Sequence, residues 1–187
     1  MSTPTVPGFG DEPVTPRLGL PDPARMSAAQ RAAYDAIAAG PRGKVEGPLA
    51  VWLHSAELAH RAQALGEYCR FGSSLPPRLS ELAILVMGAY WQAGFEWQVH
   101  APIAEAAGIA PDVIAAIKRR ERPVFAEADA QAVHDLSREL LETRDVAQST
   151  YVLARAALGD RGLVDLVGVL GYYGMISMTI KLFHVNK

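Results

Sequence analysis

Three side chains near the middle of the chain could carry acid–base chemistry: Glu81, Glu96 and His100, in the pattern Glu81-x11-Ala93-x2-Glu96-x3-His100. Glu96 and His100 share one face if the backbone between them is helical. Proton transfer needs a group that titrates near neutrality and is held in one tautomer by a hydrogen-bond partner. A histidine beside a carboxylate meets that need. The pattern therefore favours a site that moves a proton.

Each of these residues also has an ordinary structural interpretation. Glu81 could be a solvated carboxylate paired with Arg78, although the continuously apolar run 82–87 that follows it favours burial. His100 could be a core histidine that is satisfied by a backbone carbonyl. A metal site would find a suitable number of ligands in two carboxylates and one imidazole. Because the chain lacks a spacing such as His-x3-His around this motif, we predict no metal.

Pro102 complicates the geometry of this site. It lies two residues after His100 and denies the carbonyl of Gln98 its helical donor. The helix is therefore expected either to begin as late as Gln98 or to be kinked there. With a late start, Glu96 and His100 would not share a face.

The composition is that of one ordinary globular domain with an extended arm. The chain has 187 residues, a formal charge of −2 and one cysteine, Cys69. It is large enough for a proper core, it lacks the basic stripe that nucleic-acid binding requires, and it cannot form an internal disulfide. The six prolines of residues 1–25 predict an extended N-terminal arm, and residues 26–187 are predicted to be a single domain. No secretory signal is visible, so a cytoplasmic location is expected.

Helix signals dominate the chain after the arm, and no segment shows the alternation of a β-strand. Ser27 is a plausible N-cap and Pro77 a well-placed helix start, while Gly159 is expected to end one helix before a long C-terminal one begins. The apolar segment 163–180 approaches the length of a membrane span. Asp165 interrupts it, so we predict a helix of the core or of a subunit interface, and no membrane. The fold class is predicted to be all-α, with about seven to nine helices.

The motif and its surroundings resemble the carboxymuconolactone decarboxylase family. The resemblance is carried by Arg78-Leu-Ser-Glu81-Leu-Ala-Ile-Leu-Val86, Ala93-Gly-Phe-Glu96-Trp-Gln-Val-His100 and Ala104-Glu-Ala-Ala-Gly108, with a looser match at Val51-Trp-Leu-His-Ser55. The family shares its fold with the alkylhydroperoxidase D proteins, whose thiol-redox site has a Cys-x-x-Cys pair served by a Glu and a His. Ala93 and Glu96 stand in place of those cysteines, so the chain resembles a thiol-free branch.

The resemblance implies an all-helical, alkylhydroperoxidase D-like subunit that assembles into a homo-oligomer, a trimer or a hexamer. It also implies a cofactor-free carbon–carbon lyase that decarboxylates a small unsaturated organic acid or lactone, as in the catabolism of aromatic compounds. We hypothesise that His100 delivers or relays the proton, that Glu81 orients it, and that Glu96 tunes the cluster or contacts substrate. The candidate substrate-binding residues are His54, Arg78, Trp97 and Tyr172.

Two other functions stay open at this point. The chain could be a relative of the peroxidases that lacks thiol activity and acts as an isomerase or hydrolase, or it could be a non-enzymatic small-molecule binder. Thiol peroxidase activity is not expected. Peroxide reduction on this scaffold needs a thiolate nucleophile and a resolving thiol, and Ala93 and Glu96 supply neither.

Overall fold

A computed structural model describes residues 15–18 and 21–185 of the chain. Over these residues it contains eight α-helices and no β-strand, so the predicted all-α class is confirmed. The helices are α1 (Ala28–Ala39), α2 (Gly47–Trp52), α3 (Ala56–Glu67), α4 (Pro77–Trp91), α5 (Gly94–Ala106), α6 (Pro111–Lys118), α7 (Ala128–Thr143) and α8 (Gln148–Phe183). A π-helical turn, Tyr68–Gly72, follows α3 directly.

The helix ends follow the local signals in the sequence. Ser27 caps α1 in a capping box, in which its hydroxyl accepts from the Gln30 amide and its own amide donates to the Gln30 side chain. Pro77 is the first residue of α4, where its missing amide costs no helical hydrogen bond. Gly159 interrupts α8 with a φ of 69° and a ψ of 175°, so the first part of α8 ends where the sequence predicts.

The centre of the protein is α4, which packs against α5, α7 and α8. Every residue from Leu79 to Ala89 is buried. A helix that is apolar on all sides belongs inside a core, because none of its faces gains from contact with water. Glu81 is the one charged residue within this buried stretch, so its environment is set by the neighbouring helices.

The long helix α8 is apolar enough to cross a membrane by length and composition, and it is the one such helix among the described residues. Within its most apolar window, 61% of the residues are buried inside the protein, which is the pattern of a core helix. Its outward face exposes Val164, Val167, Met178 and Leu182. The predicted homo-oligomer stays a prediction.

The predicted N-terminal arm is described only in part: residues 1–14, 19 and 20 lie outside the described residues. Arg17 contacts the end of α8, where its amide donates to the Phe183 carbonyl at 3.0 Å and its guanidinium donates to the Leu182 carbonyl at 3.2 Å. Pro23–Arg25 forms one 3-10 turn. This part of the arm therefore lies against the C-terminal end of the core helix, and the predicted boundary at residue 25 stays a prediction.

Candidate active site

The turn between α4 and α5 brings the motif residues together. Gln92 ends α4 in a left-handed conformation (φ 52°), which lets α5 fold back along α4. Glu81 lies on α4, and α5 carries Glu96 and His100. α5 begins at Gly94 and continues through Pro102, so the late start considered from the sequence is wrong. Glu96 and His100 therefore lie one turn apart on the same helix.

His100 lies between the two carboxylates in a buried cluster. Its Nδ1 is 2.7 Å from Oε2 of Glu81, and its Nε2 is 3.1 Å from Oε2 of Glu96. The three residues are 4%, 5% and 3% exposed, in the order Glu81, Glu96, His100. The contact with Glu81 is a well-formed hydrogen bond. The contact with Glu96 is close but poorly aligned, and Oε2 of Glu96 has no hydrogen-bond partner among the described residues. One buried carboxylate oxygen is thus left for a further donor.

The environment of His100 favours its charged form. Burial alone would lower the pKa of the imidazole, but hydrogen bonds and charge from Glu81 and Glu96 outweigh burial and raise the pKa of His100 from 6.5 to about 9. At neutral pH the ring is therefore an imidazolium, with a proton on each nitrogen. The cluster holds an exchangeable proton in a place that bulk water hardly reaches, which is what a buried proton donor requires.

Aromatic side chains enclose the cluster on the side of α8. The Tyr173 ring meets the His100 ring edge-on at a centroid distance of 5.1 Å, and Tyr172 meets Tyr173 at 5.3 Å. Burial raises the pKa of Tyr172 to about 12 and that of Tyr173 well above its ordinary value. Both phenols therefore stay protonated across the physiological range, so they can act as O–H donors and not as additional negative charges.

A cavity of about 410 Å³ opens beside this cluster, a size that suits a small organic molecule. Its buried polar wall is formed by Glu96, His100, Tyr172 and Tyr173. Its apolar lining consists of Pro41, Pro48, Leu49, Phe71, Phe95, Val99, Ile103 and Ile176. Glu81 is not among the lining residues, because it lies behind the imidazole ring. Among the described residues, no group of three metal-binding side chains is arranged to hold a metal ion.

Of the predicted substrate-binding residues, only Tyr172 lines the cavity. Arg78 does not line the cavity and does not pair with Glu81: its Nη2 donates to both carboxylate oxygens of Asp129, at 2.9 and 2.8 Å. Asp129 lies 51 residues further along the chain, so no local pattern pointed to it.

Trp97 and His54 are also placed away from the cavity. Trp97 follows Glu96 directly, so the two side chains point about 100° apart around α5, and Trp97 is buried in the core at 8% exposure. His54 lies in the turn between α2 and α3 and is exposed. Neither residue lines this cavity, and their substrate-binding roles stay predictions. Arg42 and Arg70, which no sequence pattern singled out, both line the cavity.

Gly66 lets α3 approach Tyr172 closely. A Cβ atom at this position would lie 2.1 Å from the Tyr172 ring and hydroxyl and 2.6 Å from Nη2 of Arg42. We expect Gly66→Ala to lower the free energy of unfolding by about 1–3 kcal/mol, since the buried ring must move to make room. Urea unfolding measures this loss of stability.

Gly171→Ala is the matched control, because nothing lies within 4 Å of its Cβ position. It should leave stability unchanged or raise it by up to ~1 kcal/mol. Equal losses in both variants would contradict the argument.

The raised pKa of His100 predicts a pH dependence of stability. Its pKa in the folded protein, about 9, lies above its ordinary value of 6.5, so folding takes up a proton. The stabilisation is complete below about pH 6.5 and is lost as the pH rises through about 9. Urea unfolding between pH 6 and pH 10 should show this loss in the wild type. His100→Gln should lack the part of the loss that the imidazole contributes. A loss of the same size in His100→Gln would assign the effect to other groups.

The fold and the site together define a class: an all-helical protein of the alkylhydroperoxidase D-like fold whose site keeps a Glu/His pair and has no thiol pair. The sequence model of the carboxymuconolactone decarboxylase family matches residues 56–135, the segment that contains Glu81, Glu96 and His100. The resemblance stated from the sequence is therefore confirmed for this segment.

One solved structure supports the same fold. It is the crystal structure of an uncharacterized peroxidase-related protein from Silicibacter sp. TM1040, to which this chain is similar with a TM-score of 0.72 and 16% sequence identity, over 91% of each chain. At that identity the likeness concerns the fold. The sequence matches none of the curated proteins with which it was compared.

Proposed function

We propose that the protein is a cofactor-free decarboxylase of a small unsaturated organic acid or lactone. One observation carries the proposal: a buried imidazolium is held between two carboxylates, and one of these, Glu96, offers an unpartnered oxygen beside a cavity of about 410 Å³. Such chemistry needs no external electron sink, because the substrate's own unsaturated system accepts the electrons. What the protein must supply is a proton and a site that is poor in water.

The geometry favours Glu96 as the group that meets the substrate. Both nitrogens of His100 face carboxylates, and of these two carboxylates Glu96 is the one that lines the cavity. In the proposed step the carbon–carbon bond to the departing carboxylate breaks, carbon dioxide leaves, and the electron pair enters the conjugated system. The proton from Nε2 of His100 passes through the Glu96 carboxyl to the substrate carbon. The neutral imidazole keeps its hydrogen bond to Glu81, and a proton from solvent restores the charge.

The single cysteine does not support a peroxidase. Cys69 is 1% exposed, and burial raises the pKa of its thiol. A buried thiol with a raised pKa carries little thiolate at neutral pH, and thiolate is the nucleophile that peroxide reduction needs. The acid–base groups are therefore the candidates for the chemistry of this site.

The experiment is an ultraviolet assay with a carboxylated muconolactone, combined with detection of released carbon dioxide. We expect turnover near neutral pH that falls as the pH rises through about 9, because the imidazolium of His100 is then lost. Absence of carbon dioxide release would contradict the proposal for this substrate class. Reduction of an alkyl hydroperoxide by dithiols, abolished in Cys69→Ser, would replace it with a thiol peroxidase.

A further inference from the structure

Two arginines at the cavity form no salt bridge with the described residues. Arg42 and Arg70 both line the cavity, and neither has a carboxylate oxygen within 4.0 Å among the described residues. Lys44, the third cation of the lining, differs from them because it pairs with Glu46 at 2.7 Å. Guanidinium groups without a salt-bridge partner, beside a cavity of ligand size, are suited to bind an anion.

Both guanidinium groups are held by the same aromatic ring. The Phe71 ring centre lies 5.1 Å from the guanidinium carbon of Arg70 and 6.0 Å from that of Arg42. Arg42 also donates from Nη1 to the carbonyl of Gln63 at 3.4 Å. Arg70 and Phe71 lie in the π-helical turn after α3, and such turns are frequent at functional sites. Cation–π contacts of this kind restrict the two side chains before a ligand binds, which lowers the entropic cost of binding.

A third donor lies beside them. The Tyr172 hydroxyl belongs to a side chain that lines the same cavity and is 3% exposed. It is a neighbour of Arg42, because a Cβ built on Gly66 would contact both groups, at 2.1 and 2.6 Å. Since burial raises the pKa of Tyr172 to about 12, its hydroxyl keeps its proton and can donate.

We propose that Arg42, Arg70 and the Tyr172 hydroxyl form a carboxylate-binding subsite that sets the orientation of the ligand. The Glu81–His100–Glu96 cluster holds two carboxylates and one imidazolium, so it offers a ligand carboxylate no net positive charge. The arginine pair attracts one, so a ligand with two acidic groups places one at the arginines and its reacting end at Glu96. This orientation rests on the proposed function, whereas the subsite itself rests only on the three donors. Arg42 and Arg70 thereby become determinants of specificity.

The test uses an unreactive probe, benzene-1,3-dicarboxylate, in isothermal titration calorimetry at low ionic strength. We expect Arg42→Gln and Arg70→Gln each to weaken binding by about 10-fold or more, as for loss of a charged hydrogen-bond donor, and Tyr172→Phe to weaken it less. Arg61→Gln is the matched control, because Arg61 lies on α3, pairs with Glu57 and does not line the cavity. It should bind as the wild type does. The neutral analogue benzene-1,3-dicarboxamide should bind weakly and respond little to Arg42→Gln.

The outcomes separate this inference from the proposed function. Wild-type affinity in both arginine variants, with native circular dichroism, would overturn the subsite, and so would failure of the wild type to bind the diacid. Loss of diacid binding in properly folded arginine variants supports the subsite. If that loss occurs in a protein that releases no carbon dioxide from any lactone acid, the subsite stands and the decarboxylase proposal fails. If turnover is found and its KM is unchanged in both arginine variants, the subsite fails and the decarboxylase proposal stands.

Discussion

Glu96→Gln is expected to lower kcat for decarboxylation by about 10²- to 10⁴-fold, the usual contribution of a positioned general acid or base. The amide has nearly the shape of the carboxyl group, so it keeps the position at 3.1 Å from Nε2 of His100. It cannot take up and pass on a proton. Steady-state kinetics at pH 7 measure the loss, and KM should change less than kcat, because the proton is needed only when the carbon–carbon bond breaks.

Glu105→Gln is the control for this prediction. Glu105 lies on the same helix, α5, but it is exposed and does not line the cavity. Its variant should turn over at the wild-type rate. Both variants should give thermal unfolding curves with one cooperative transition. If Glu96→Gln retained full activity, the proton would have to reach the substrate without Glu96, and the assignment of Glu96 as the contacting group would be withdrawn.

His100→Ala is expected to lower the free energy of unfolding by about 3–5 kcal/mol, in addition to removing turnover. The substitution takes the cation out of a cluster in which Glu81 and Glu96 are 4% and 5% exposed. Two buried carboxylates then face one another with no positive charge between them. Denaturant unfolding at pH 7 measures the loss.

A double-mutant cycle separates this charge effect from lost packing. Adding Glu81→Gln to His100→Ala removes one of the stranded carboxylates, so the double variant should be less destabilised than the sum of the single ones by roughly 0.5–3 kcal/mol. His134→Ala provides a matched control. His134 is as buried as His100 at 3% exposure, but its partner Asp135 also pairs with Arg122 at 2.6 Å and keeps that cation. If His134→Ala lowered the free energy of unfolding by the same amount, the effect in His100→Ala would be due to lost packing.

The helices and the acid–base motif could be predicted because their signals are local. The capping box at Ser27, the start of α4 at Pro77 and the break at Gly159 each depend on residues within one turn of the position concerned. The pairing of Glu96 with His100 likewise needs only helical spacing, and Glu81 joins them through one tight turn between α4 and α5. Residues this close in sequence have few possible positions relative to one another. Residue type and spacing are therefore enough to predict that they meet.

The start of α5 could not be predicted from the residues around Pro102 alone. The proline removes one backbone donor, yet α5 still begins at Gly94, where Phe95, Glu96 and Trp97 are all buried. Burying these side chains against the rest of the fold outweighs the loss of one hydrogen bond.

The ligand-facing half of the site depends on contacts between distant parts of the chain. Arg78 pairs with Asp129 across 51 residues, and Trp52 donates to the hydroxyl of Thr179 across 127. The cavity likewise joins Arg42 from a loop, Arg70 from a π-helical turn and Tyr172 from α8. The packing of the helices decides which polar side chains meet in this way. Residue spacing does not reveal that packing. The amino-acid sequence therefore specified the cluster of Glu81, Glu96 and His100, whereas the packing of the helices decided which side chains line the cavity.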